Sequence, residues 1–165
     1  MKKLSLTAIG RSTRWAVIGA VKTTGDTAKA IVEAIRDVLL TTVDGVSQIT
    51  VAIEKGVTQI IVGAIEAASE VGGDLLMTVK STVHGIVKGA SEVGADVGNV
   101  AVKATEEAIK AAGDVGADVS EATKHAVTGA MEAANEIGTE ASKVVRDVLV
   151  KSIKGAKDVI KEPFK

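Results

Sequence analysis

Gly63-Ala-Ile-Glu-Ala-Ala-Ser-Glu-Val71-Gly72 returns as Gly85-Ile-Val-Lys-Gly-Ala-Ser-Glu-Val93-Gly94, then as Glu107-Ala-Ile-Lys-Ala-Ala-Gly-Asp-Val115-Gly116, and again as Gly129-Ala-Met-Glu-Ala-Ala-Asn-Glu-Ile137-Gly138. Each copy starts 22 residues after the last, and a degenerate fifth, Lys151-Ser-Ile-Lys-Gly-Ala-Lys-Asp-Val159, keeps the step. Self-similarity at a fixed interval marks a chain built from one structural unit used several times.

A unit of 22 is two units of 11, and 11 residues in three turns is about 3.67 per turn, close to the α-helical period. The columns at this spacing separate cleanly. Ala68, Val79, Ala90, Ala101, Ala112, Ala134 and Val145 form one, and Val71, Val93, Ala104, Val115, Ala126, Ile137 and Val148 form its neighbour. On the other side stand Glu66, Lys88, Asn99, Lys110, Glu121, Glu132, Lys143 and Lys154, then Glu70, Glu92, Lys103, Asp114, His125, Glu136, Asp147 and Asp158. An apolar stripe opposite a charged one at helical period predicts amphipathic helix. The phase holds over residues 16–161, between a basic segment at 1–15 and a short tail at 162–165.

The fold expected is therefore all-α, built of long amphipathic helices of 11/22-residue repeat arranged as a rod, hairpin or bundle. The unbroken phase across Gly72, Gly94, Gly116 and Gly138 favours helices that run through these glycines, interrupted once or twice, first around Gly113–Gly116. Glycine would then admit another backbone, with Ala68, Ala90, Ala112 and Ala134 one turn away, as in small-xxx-small contacts. The alternative makes the same glycines helix ends and the chain a zigzag of helices about 33 Å long or less. Mid-helix glycine costs about 0.5–1 kcal/mol relative to alanine, so a continuous rod would depend on a partner surface.

Composition agrees with a thin helical contact. Trp15 and Phe164 are the only aromatics in 165 residues, so a core would be built from alanine, valine and isoleucine. There is no cysteine, which excludes disulfides, a thiolate nucleophile and a Cys-type zinc site. The net charge of −1 is unevenly spread. Residues 1–25 carry five bases and no acid, residues 92–140 ten acids against three bases, and residues 141–165 seven bases against three acids. A basic–acidic–basic order lacks the continuous basic stripe of a nucleic-acid binder. Residues 45–65 are the nearest approach to a membrane span, and Glu54-Lys55 divides them. Arg11 and Arg14 interrupt the apolar run that a signal peptide would need, though secretion stays open.

No catalytic or metal set emerges. His84 and His125 lie 41 residues apart without a supporting carboxylate spacing, and no nucleotide-binding glycine motif is present. The ladders Glu132-Glu136-Glu140 and Glu66-Glu70-Asp74 read as a solvated face, a calcium-collecting row, or partners of basic neighbours. Trp15, beside Arg11 and Arg14, suits either a membrane interface or a packing anchor. No cofactor and no small-molecule substrate is expected, and the chain reads as a non-enzyme.

At these columns the sequence resembles the amphipathic 11/22-residue-repeat proteins: exchangeable apolipoproteins, synucleins, the perilipin repeat region and late-embryogenesis-abundant proteins. Its alanine-rich helical character is also similar to phasins and other droplet-coat proteins. The resemblance is one of pattern over residues 16–161 and carries over no individual residue. It implies a protein that coats a membrane, lipid or polymer-granule surface, cytoplasmic and peripheral to it, with copies of itself as partners. A self-assembling bundle or filament with no lipid role is the other expectation. Either way the working surface would be the stripe of Ala68, Val71, Gly72, Ala90, Val93, Gly94, Ala112, Val115, Gly116, Ala134, Ile137 and Gly138, with Arg11, Arg14 and Trp15 as membrane-interface candidates.

Overall fold

The computed structural model describes residues 8–22, 27–44 and 49–161. Among these residues it is all-helical: α1 (Ala8–Lys22), α2 (Thr27–Asp44), α3 (Ile49–Glu70), α4 (Leu75–Glu92), α5 (Val97–Asp114), α6 (Val119–Ile137), α7 (Thr139–Ser152) and α8 (Ala156–Lys161).

The helices do not run through the repeated glycines. Gly72, Gly94 and Gly116 have φ of 71°, 77° and 94°, the left-handed region that glycine enters at no steric cost. At each one the chain closes a Schellman turn. The amide of Gly73 donates to the Ala68 carbonyl, that of Ala95 to Ala90, and that of Ala117 to Ala112, all at 2.9 Å. The next helix then starts on an aspartate. Asp74, Asp96 and Asp118 accept from the amides of Met77, Asn99 and Glu121 at 3.0, 3.1 and 3.1 Å, as N-caps do. The expectation of continuous helices through these glycines is thus overturned, and a break near Gly113–Gly116 is one of several. Phase survives because the turn lies inside the repeating unit. An 18-residue helix of about 27 Å plus four turn residues makes 22, so the next helix begins in register whether or not the backbone is continuous.

The fourth copy shows what the aspartate does. Where the others have an N-cap Asp, it has Glu140, which lies inside the first turn of α7 instead of before it. Gly138 (φ 151°) ends α6 and begins α7 with no side-chain cap at all.

Packing follows sequence order. Every extensive contact joins helices one or two apart in the chain, which sets α1, α3, α5 and α7 in one row and α2, α4, α6 and α8 in the other. Sequence neighbours zigzag between rows, and helices within a row run parallel. The apolar columns line the space between them: Val17, Ile31, Ile35, Leu39, Ile60, Ile61, Ile65, Val79, Val83, Ile86, Ala101, Ala112, Ala134, Val145 and Leu149 are all fully buried. The alanines of the stripe expected to need an outside surface, Ala68, Ala90, Ala112 and Ala134, are buried inside the chain itself.

A second set of glycines sets how close the rows pack. A Cβ added at Gly63 would stand 2.7 Å from the Gly10 carbonyl oxygen in α1, and one at Gly85 2.6 Å from that of Val32 in α2. At Gly129 it would be closer still to the Lys80 oxygen in α4. Real Cβ contacts do not approach so near, so helix n rests its glycine directly on the backbone of helix n−2. Close backbone approach was expected at Gly72, Gly94, Gly116 and Gly138; it belongs instead to the glycine that opens the repeat. The third and fifth copies, which open on Glu107 and Lys151, form the sparser α3–α5 and α5–α7 contacts.

Candidate functional surfaces

The residues expected to make one working stripe separate into two kinds. Ala68, Ala90, Ala112 and Ala134 are fully buried between the rows. Val93, Val115, Ile137 and Gly138 are half-buried, while Val71, Gly72, Gly94 and Gly116 are exposed at the turns. No continuous apolar face formed by these twelve residues is left open for a partner.

Trp15 is 69% exposed on α1 and anchors no helix pair. Arg11 is exposed on the same helix. Arg14 is ion-paired to Glu70 of α3, whose carboxyl it holds below the usual carboxylate range by hydrogen bonding. The helix carrying these three begins at Ala8, so the expected boundary between residues 15 and 16 falls inside it. Besides Trp15, the large hydrophobics exposed among the described residues are Val71 at a turn, Val119 at the start of α6, and Val144 and Val150 on α7.

The charged columns converge along the row α2–α4–α6. Lys88 donates to Glu33 at 2.8 Å and Arg36 to Glu92 at 2.6 Å, tying α2 to α4. On the other flank of α4, Lys80 lies 3.7 Å from Glu132, and His84 places Nδ1 3.6 Å from Glu132 and Nε2 3.0 Å from Glu136. His84 is 12% exposed, and its Nε2, though this near a carboxylate, is out of line for a hydrogen bond. Glu132 and Glu136 of the ladder thus pair with the basic edge of the neighbouring helix while remaining partly solvated; Glu140 is exposed. The ladder's reach across helices was not legible from spacing on one helix.

These groups surround a cavity of about 260 Å³ whose lining includes Lys29, Glu33, Lys80, Ser81, His84, Lys88, Glu132 and Glu136. The bond from Lys88 pulls the Glu33 carboxyl below its ordinary range, the bond from Arg36 does the same to Glu92, and the His84 ring followed by Lys80 does so to Glu132. The same bonds push Lys88 and Arg36 up. Cations and carboxylates here compensate one another across helix boundaries. Such an arrangement bears on which helices meet and at what register. No group of three potential metal ligands occurs among the described residues, nor is any described helix long and apolar enough to cross a membrane.

No protein-family model matches the chain, and no curated protein is significantly similar to it.

Proposed function

We propose that the protein is a non-enzymatic structural protein: a short helical-repeat array that assembles with copies of itself. The observation that carries this reading is the contact order. Helices pack on neighbours one and two along and on no more distant helix to any extent, so the array is quasi-one-dimensional and open-ended. Among the described residues, the first and last helices have neighbours on one side only. The charged seam along α2–α4–α6 supports a scaffold role, since its groups are spent on fixing helix register.

A lipid- or granule-surface coat is the second reading, favoured by the exposed indole of Trp15 beside Arg11. It takes second place because the apolar columns that would enter a lipid surface are already covered by the chain's own helices.

Sedimentation velocity over a wide concentration range tests the first reading, with mass rising in whole protomers as the expected result. A protein that stays monomeric throughout, yet floats with lipid vesicles, replaces it with the second.

A further inference from the structure

The cavity between α2, α4 and α6 holds one ring, that of His84, against two carboxylates. Its Nδ1 lies 3.6 Å from an oxygen of Glu132 and its Nε2 3.0 Å from one of Glu136, acceptors one turn apart on α6. Nε2 is shut off from solvent and has no hydrogen-bond partner. A neutral imidazole carries one N–H and one bare lone pair. Whichever nitrogen holds the proton, the other turns its lone pair on a carboxylate. Only the imidazolium, with a donor on each nitrogen, matches both acceptors at once.

We propose that His84 is a pH-operated clamp between α4 and α6: on taking up a second proton the ring donates to Glu132 and Glu136 together and tightens the contact of the two helices. The proposal stands apart from the assembly reading above. Glu132 and Glu136 of α6 and Glu33 of α2 favour the added charge, while Lys80 and Lys88 of α4 and Lys29 of α2 oppose it. Among the described residues, α3 and α5 contribute no charged group to the lining of this cavity. Lys88 is bonded to Glu33 at 2.8 Å, and Lys80 stands 3.7 Å from Glu132. Glu136 has Lys88 no nearer than 4.0 Å, and so keeps the most charge for the ring. The clamp contributes stability at mildly acid pH and loses it as pH rises through the ordinary imidazole range, about 6.5. The carboxylates of the same row act in the opposite sense and at lower pH.

Urea denaturation of the full chain at about pH 5.5 and about pH 7.5 tests this. The folding equilibrium constant of wild type should be larger at the lower pH by about threefold or more. His84→Gln should remove that gain. His125, the other histidine of the chain, has its Nδ1 2.9 Å from the Glu121 carbonyl oxygen of its own helix, and His125→Gln should keep the gain. Glu136→Gln offers an amide N–H to the bare nitrogen of the neutral ring. Its stability at the higher pH should match or exceed that of wild type while its gain on acidification shrinks, a combination that lost packing alone does not produce. A wild-type constant that is flat or falls towards pH 5.5 overturns the proposal. So does a gain that survives in full in His84→Gln or Glu136→Gln, or one that disappears with His125→Gln.

Discussion

The two rows are made from one repeat, yet they are held differently. Along α2–α4–α6, glycine stands at the column position in both contacts, Gly85 on α2 and Gly129 on α4. The same row has ion pairs across both boundaries, Glu33–Lys88 and Arg36–Glu92, then Lys80–Glu132, with the His84 ring 3.0 Å from Glu136 beside the last. Along α1–α3–α5–α7 the column glycine occurs once within a contact, at Gly63, and gives way to Glu107 and Lys151. The difference teaches that one missing Cβ governs the rest. Where the backbones touch, long charged side chains on adjacent helices come within pairing distance; where the column carries Glu107 or Lys151 the contact is sparser.

The most severe way to break this contrast is to fill the tightest position. Gly129→Val would drive two methyl groups into the Lys80 backbone, which cannot move as a flexible side chain would. Overpacking of a close contact costs about 1–3 kcal/mol and sometimes more, and here about 3 kcal/mol or more is expected in chemical denaturation. Separation of α6 from α4 would also raise amide exchange in both helices. Gly85→Ala places a single methyl 2.6 Å from the Val32 oxygen and 2.8 Å from Ile35 Cβ. After the gain in helix propensity, about 2 kcal/mol of destabilisation should remain.

Acid should then loosen the α2–α4–α6 row more than the other. Glu33, Glu92 and Glu132 are held below the ordinary carboxylate value of 4.5, as is Glu70 alone in the contact between α1 and α3. A depressed folded-state pKa contributes stability that is present above the unfolded value and is lost as pH falls through the folded one. The melting temperature should therefore fall below about pH 4.5. The double variant Glu33→Gln with Glu92→Gln should show a shallower fall, from a lower starting point. Because exposed pairs are individually weak, the shift should be smaller than that of either glycine variant. An acid limb unchanged in the double variant would remove these pairs from the account.

Much of this was legible in the sequence and some of it was misassigned. The 3.6-residue periodicity and the buried alanines at 68, 90, 112 and 134 follow from local pattern. The turns were legible too, in the tetrapeptides Val71-Gly72-Gly73-Asp74, Val93-Gly94-Ala95-Asp96 and Val115-Gly116-Ala117-Asp118. Glycine beyond a helix end followed by an N-cap aspartate is a stop and a start in four residues. Unbroken phase outweighed that signal, because a repeat of 22 restores phase over a turn as well as over a continuous helix. The seam formed by Glu33, Lys88, His84 and Glu136 was not legible. Its partners lie about fifty residues apart, and their meeting depends on which helices share a row.

The finest test places alanine at three equivalent positions of the repeat. At Gly85 it meets backbone and destabilises. At Glu107, half-buried in α5, it removes a charged side chain from the sparser α3–α5 contact, and a change within about 0.5 kcal/mol is expected, as for substitutions away from tight contacts. At Gly19 it meets open space and gains helix propensity, so the isolated monomer should be more stable by about 0.5–1 kcal/mol. One residue type in one column would then give three signs: loss, near-neutrality and gain. Urea denaturation of the three variants, at concentrations below any self-association, measures all three. If Gly85→Ala and Glu107→Ala behave alike, the two rows are not distinguished by this column, and the contrast between them must come from the ion pairs alone.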